Sequence, residues 1–116
     1  MTGRRLDFKQ TAAGKTLTLT INGPMTAVNL GKQAGRIARA VMGGEFSRIL
    51  INLDGVDKID SAGMGFVVSL HKDALIGARS LCICNGSKAV RRALKQGQIE
   101  RLIRIFRSRK EALEKC

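Results

Sequence analysis

Two short apolar runs, at 49–53 and 81–84, each close on an Asp-Gly or Asn-Gly pair and lead into a stretch of helical apolar spacing. No other feature restricts the fold of this chain as much. Ile49, Leu50, Ile51 and Leu53 are too few for an ordinary helix, and they lack the alternation of a strand with one wet face. They predict a central strand buried on both sides, and 81–84 predicts a second. After the first run, Met64, Val67, Val68, His71, Ala74 and Leu75 recur on one helical face up to Gly77. After the second, Val90, Ala93 and Leu94 do so between Ser87 and Gly97. A strand followed by a helix followed by a strand needs a crossover connection, and crossovers produce a parallel sheet covered by helices.

The flanks complete this plan. Leu6 and Phe8, then Leu17, Leu19 and Ile21, alternate with polar residues around Gly14 and predict an N-terminal hairpin. Beyond Gly23 and Pro24, the residues Leu30, Ala34, Ile37, Ala38 and Val41 form one face of a helix that should end near Gly43 and Gly44. Ile103, Ile105 and Phe106 predict a last strand, and Ser108 with Glu111 has the spacing of a capping box. The expectation is an α/β fold with a mixed, mainly parallel sheet, an N-terminal antiparallel hairpin and about four covering helices. At 116 residues and 44% hydrophobic content, it should be a single domain over 1–116 with one core. No run reaches the roughly 20 apolar residues of a membrane span, and the first residues lack a signal peptide's apolar core. A cytoplasmic location is expected.

Cysteine usage points away from disulfides and metals. Cys82, Cys84 and Cys116 make an odd set, and a strand would send Cys82 and Cys84 to opposite faces. Buried thiols are the expectation. A zinc site would need further Cys or His ligands, and His71 stands alone on a predicted helix. Neither a metal nor a cofactor is expected.

A net charge of +12 is the strongest compositional departure. It concentrates between Lys88 and Lys110, where Glu100 is the only acid. Arg91, Arg92, Lys95 and Arg104 are the candidates there for contact with an anionic surface. With no Tyr or Trp, and with Phe not interleaved among the cations, base-stacking platforms are absent and specific nucleic-acid recognition is not expected.

The loop from Asp54 to Gly65 carries the most information about function. It lies at the carboxyl end of the central strand, where open α/β sheets place their binding sites. Asp60 and Ser61 open the following helix, so a side-chain oxygen can satisfy its orphan amides. Free amides and the macrodipole at such an end also stabilise a negative charge. Ala62, Gly63 and Gly65 keep the neighbouring surface small. Phosphorylation of Ser61 would add about −1.5 to −2 charges to a loop that already holds Asp54, Asp57 and Asp60. Capping and phosphate acceptance are compatible readings of the same pair.

Enzymatic readings fail on spacing. Gly14, Lys15 and Thr16 resemble the end of a phosphate-binding loop, but Lys9 occupies the place of its first glycine. His71 lies ten residues beyond Ser61 on the same predicted helix, roughly 15 Å away, so they make no dyad. Asp54 and Asp57 read as solvated loop carboxylates. No catalytic residue is assigned.

The order at 49–65 (an apolar strand, Asp54, Val56, Ile59, then Asp60, Ser61, Ala62 and Gly63) resembles the STAS domain of bacterial anti-sigma factor antagonists. The resemblance runs on through Gly77, the strand at 81–84, the helix at 90–94 and the segment 99–106 into Glu111, Ala112 and Leu113. It implies a protein that binds an anti-sigma factor of the serine-kinase type and so frees a sigma factor for transcription. It also implies that Ser61 is the phosphoacceptor whose modification ends binding, and that a phosphatase restores it. By the same likeness Asp57, Asp60, Ser61, Ala62, Gly63 and Met64 form the partner surface, and the chain is a kinase substrate, not an enzyme. STAS domains also serve as subunits or tails of lipid and anion transporters. The alternative reading is therefore an adaptor in a membrane transport complex, or a basic module for anionic partners.

Overall fold

The computed structural model describes residues 5–116, so the first four residues of the expected domain lie outside the described residues. Five strands and four helices follow one another as β1 (Asp7–Ala13), β2 (Thr16–Asn22), α1 (Ala27–Met42), β3 (Arg48–Gly55), α2 (Ser61–Ile76), β4 (Ser80–Cys84), α3 (Lys88–Gln96), β5 (Ile105–Phe106) and α4 (Arg109–Lys115), with a 3₁₀ turn over Ile99–Arg101. The sheet order is β1-β2-β3-β4-β5. Only the β1–β2 hairpin is antiparallel; β2, β3, β4 and β5 run parallel. The α/β plan with a mixed sheet, an opening hairpin and four helices is the one the apolar runs predict.

Alternation along the strands divides the core in two. Leu17, Leu19, Ile21, Ile49, Ile51, Leu53, Leu81 and Ile83 face α1, α2 and α3, whose Ile37, Val41, Val67, Leu70, Val90 and Leu94 complete the larger cluster. Leu50, Cys82, Cys84 and Phe106 face the other way and pack on Ala112 and Leu113 of α4. Burial on both sides of β3 explains its unbroken apolar run.

Several expectations need correction. Cys82 and Cys116 are joined in a disulfide across 34 residues of sequence, so the reading of three independent thiols fails; only Cys84 is free, and it is buried. The bridge ties the end of α4 to β4. Opposite-facing Cys82 and Cys84 were no obstacle, because Cys82 reaches a third cysteine and not its neighbour. On α2 the buried line is Gly63, Val67, Leu70 and Ala74, whereas Leu75 is exposed. Its core stripe is thus rotated from the one spacing predicts. The last strand keeps only Ile105 and Phe106.

Arginines close two helix ends. Arg79 donates to the carbonyls of Val41, Gly43 and Gly44 after α1. Arg48 donates to Leu113 and Cys116 and Arg104 to Lys115 at the end of α4. Cations there meet orphan carbonyls and the negative end of the macrodipole. Part of the +12 charge is therefore structural.

Candidate functional site

The β3–α2 loop is fixed by backbone bonds to the segment that follows β2. The Gly23 amide donates to Gly55 at 2.9 Å, Met25 to Lys58 at 2.8 Å, and Asp60 returns a bond to Met25 at 3.3 Å. Met25 and Ile59 form a parallel bridge. This seam brings the start of α1 beside the start of α2.

Asp60 caps both helices. Its Oδ1 accepts from the Gly63 amide at 2.9 Å, closing the first turn of α2. Its Oδ2 accepts from the Ala27 amide at 3.1 Å, at the start of α1. α1 needs that help because the hydroxyl of Thr26, its N-cap residue, makes no capping bond and donates instead to Asn29. The Gly63 and Ala27 amides hold the Asp60 carboxyl below the ordinary aspartate range, outweighing the opposing effect of burial. The convergence of two positive helix ends favours the same ionised state.

Gly63 is required by close approach. A Cβ there would stand 2.1 Å from the Met25 carbonyl oxygen and 2.8 Å from Ile59. Gly65, one residue past Met64, has open space around it. α1 is broken at Gly31, where φ is +35° and ψ −132°. A side chain rarely adopts that φ. The break leaves Ala27 to Leu30 as a separate turn leaning on Asp60.

With Asp60 as the cap, Ser61 becomes the first residue of α2. It is exposed, and among the described residues its hydroxyl has no hydrogen-bond partner. Of the Asp-Ser pair, the aspartate is the one that caps, and the serine hydroxyl faces solvent.

The other predicted residues divide by burial. Asp57 is exposed, Ala62 and Met64 are half-buried, and Gly63 is buried. Gly63 therefore shapes the surface from beneath. Met64 lies against Gly97 after α3, where an added Cβ would meet its sulfur at 2.7 Å. Asp54 is exposed at the end of β3, its amide bonded to Asn52. His71 lies within α2 with Nδ1 buried and unpartnered among the described residues.

Sequence reasoning missed the α1 side of this surface. Val28, one residue beyond the Ala27 amide, is 92% exposed, the largest exposure of any large apolar side chain described. An apolar residue in the first turn after Gly-Pro, off the Leu30–Val41 stripe, was the available signal. It also missed a polar ladder below the loop: Asn85 donates to Asn52 at 2.7 Å, and Asn52 to Thr20 at 3.5 Å.

Of the basic candidates, Arg91, Arg92 and Lys95 line a groove beside α3 together with Lys88 and Arg107. Arg104 is not one of the lining residues but packs on Phe106, which is. Its guanidinium stacks 5.0 Å from the Phe106 ring centre.

Comparison with known proteins matches the family model for the STAS domain over residues 8–112. Among solved structures, an anti-sigma factor antagonist from Mycobacterium paratuberculosis is similar with a TM-score of 0.82 at 13% identity, covering 94% of this chain and 92% of that one. The anti-sigma factor antagonist SpoIIAA, of Bacillus, in its unphosphorylated form gives 0.75 at 18% identity, over 93% and 94%. A sulfate transporter family protein from Wolinella succinogenes also gives 0.75 at 18% identity, over 90% and 86%. At these identities the structural likeness speaks for the fold.

Proposed function

Because the chain belongs to the STAS domain family, we propose that it is an anti-sigma factor antagonist working in the cytoplasm, switched by phosphorylation of Ser61. The unphosphorylated chain binds an anti-sigma factor that is a serine kinase, and so releases a sigma factor for transcription. The kinase phosphorylates Ser61 and the complex separates. A phosphatase resets the cycle.

The observation that carries this reading is the division of labour at 60–61. Asp60 satisfies the helix ends, which leaves the Ser61 hydroxyl exposed and unbonded at the first position of α2. A phosphate there lies near the positive ends of two helices, whose macrodipoles favour a negative charge. The new charge acts outward. At a close interface formed by Asp57, Ser61, Ala62, Met64 and Val28, it adds bulk and repels acidic groups of the partner. Val28 supplies the apolar anchor that an otherwise small and polar surface lacks.

The test is affinity capture from cells of the source organism with the wild type, Ser61→Ala and Ser61→Asp chains. An ATP-binding anti-sigma factor retained by the first two and lost by the third is the expected result. Capture of the same transporter subunits by all three overturns the assignment in favour of the adaptor reading that the sulfate transporter likeness raises.

A further inference from the structure

We infer that the groove between α3 and β5 is a binding site for an anion bearing several phosphate groups, separate from the Ser61 surface. Lys88, Arg91, Arg92 and Lys95 follow the spacing i, i+3, i+4, i+7 on α3. At 3.6 residues per turn they occupy one arc of roughly 100°, away from the buried Val90 and Leu94. Arg107, just past β5, joins them in lining a cavity of about 500 Å³ whose floor includes Ile105 and Phe106. Five cations line it against one carboxylate, Glu100.

Helix physics alone opposes this arrangement. Like charges three and four residues apart destabilise a helix. Lys88 also lies in the first turn, where a cation opposes the macrodipole and where no acidic residue balances it. The arginines used structurally look different: Arg48, Arg79 and Arg104 all donate to backbone carbonyls. Cations gathered against local preference, around a cavity, are an arrangement whose cost a bound anion would offset. The volume falls within the usual range for small-ligand pockets. Arginine forks match phosphate geometry, and five cations can serve more phosphate than a single group supplies.

The same observations disfavour nucleic acid. Phe106 is only 6% exposed, with Arg104 over its ring, so the groove offers no platform for stacking bases. The shared chemistry is clustered phosphate, from a soluble polyphosphorylated molecule or from lipid headgroups.

The experiment titrates the full chain with inorganic tripolyphosphate by calorimetry, at low and at physiological salt. Vesicles of phosphatidylglycerol in phosphatidylcholine are tested in parallel by flotation, against phosphatidylcholine alone. Arg91→Gln with Arg92→Gln removes two groove charges, and Lys95→Gln with Arg107→Gln removes two others from separate elements. Lys9→Gln with Lys32→Gln removes two exposed charges elsewhere. Circular dichroism melts confirm that each variant folds. Each groove pair should weaken tripolyphosphate binding by roughly tenfold or more, since several charge-assisted bonds are lost. The distant pair should change it less than about twofold, through net charge alone. Vesicle binding that the groove variants lose and tripolyphosphate displaces identifies headgroup phosphate as an occupant; tripolyphosphate binding without flotation identifies a soluble one. Equal weakening by all three pairs, no binding of either probe, or binding only of single-stranded RNA without tripolyphosphate competition overturns the site.

Discussion

The β3–α2 and β4–α3 junctions are built on one plan and fixed in different ways. At each, a side chain caps the helix that follows: Asp60 accepts from Gly63 at 2.9 Å, and Ser87 from Val90 at 3.1 Å. The first junction is sewn to a second loop by backbone bonds around a buried glycine. The second stands next to an edge strand of two residues, held by α4 and the Cys82–Cys116 bridge. One carries aspartates and a free serine, the other a row of cations. The strand-to-helix turn supplies amides and a helix end; the side chains decide what these recognise.

The largest expected effect separates the two junctions by their fastening. Reducing the disulfide releases a link spanning 34 residues, worth about 3–4 kcal/mol on the chain-entropy account. Denaturant titration with and without reductant measures the loss. Hydrogen exchange should then show faster opening in α4 and β5 while the start of α2 stays protected. Equal opening at both junctions would break the comparison.

Gly63→Ala attacks the other fastening. Its methyl group meets backbone at Met25, so the seam must shift, at about 1–3 kcal/mol. Urea unfolding should show this destabilisation with the disulfide intact. Gly65→Ala is its control on the same helix: nothing lies within 4 Å of the added methyl, so the better helix former should stabilise by about 0.5–1 kcal/mol. If the two substitutions behave alike, close packing at Gly63 is not what fixes the loop.

The smallest effect is confined to acid. The Asp60 carboxyl has its pKa lowered in the fold from an ordinary value of 3.8. Its contribution to stability is therefore full above that value and fades as pH falls through the lower folded value. Asp60→Asn should lie below the wild type in thermal midpoint near neutrality, with the gap closing below about pH 3.8. A gap that stays constant into acid would remove the carboxylate from the account. No such pH dependence is expected of Ser87, which makes the equivalent cap with a neutral oxygen.

What could be read from the residues follows the range of the interactions involved. Ile49 to Leu53 announced a doubly buried strand because its signal is local. Ser87 and Ser108 announced caps for the same reason, and both accept the third amide beyond them. The disulfide could not be read, because only the packing of α4 on β4 brings Cys116 to Cys82. Asp60 was legible as a candidate cap of its own helix. Its bond to Ala27, 33 residues earlier, depends on the seam and on the break at Gly31. Leu75 misled because apolar spacing alone does not set which side of a helix meets the sheet. The row of cations on α3 was visible as a charge run; its convergence with Arg107 needed the fold.

In the proposed switch, Ser61 is the residue through which a partner kinase acts on this surface. The most direct test incubates the chain with the captured partner and ATP, then reads intact mass, the modified residue and rebinding. The expected result is one phosphate, on Ser61, absent from Ser61→Ala, and a phosphorylated chain that no longer binds the partner. Phosphate on another residue, or a Ser61-phosphorylated chain that binds as well as the unmodified one, would contradict it.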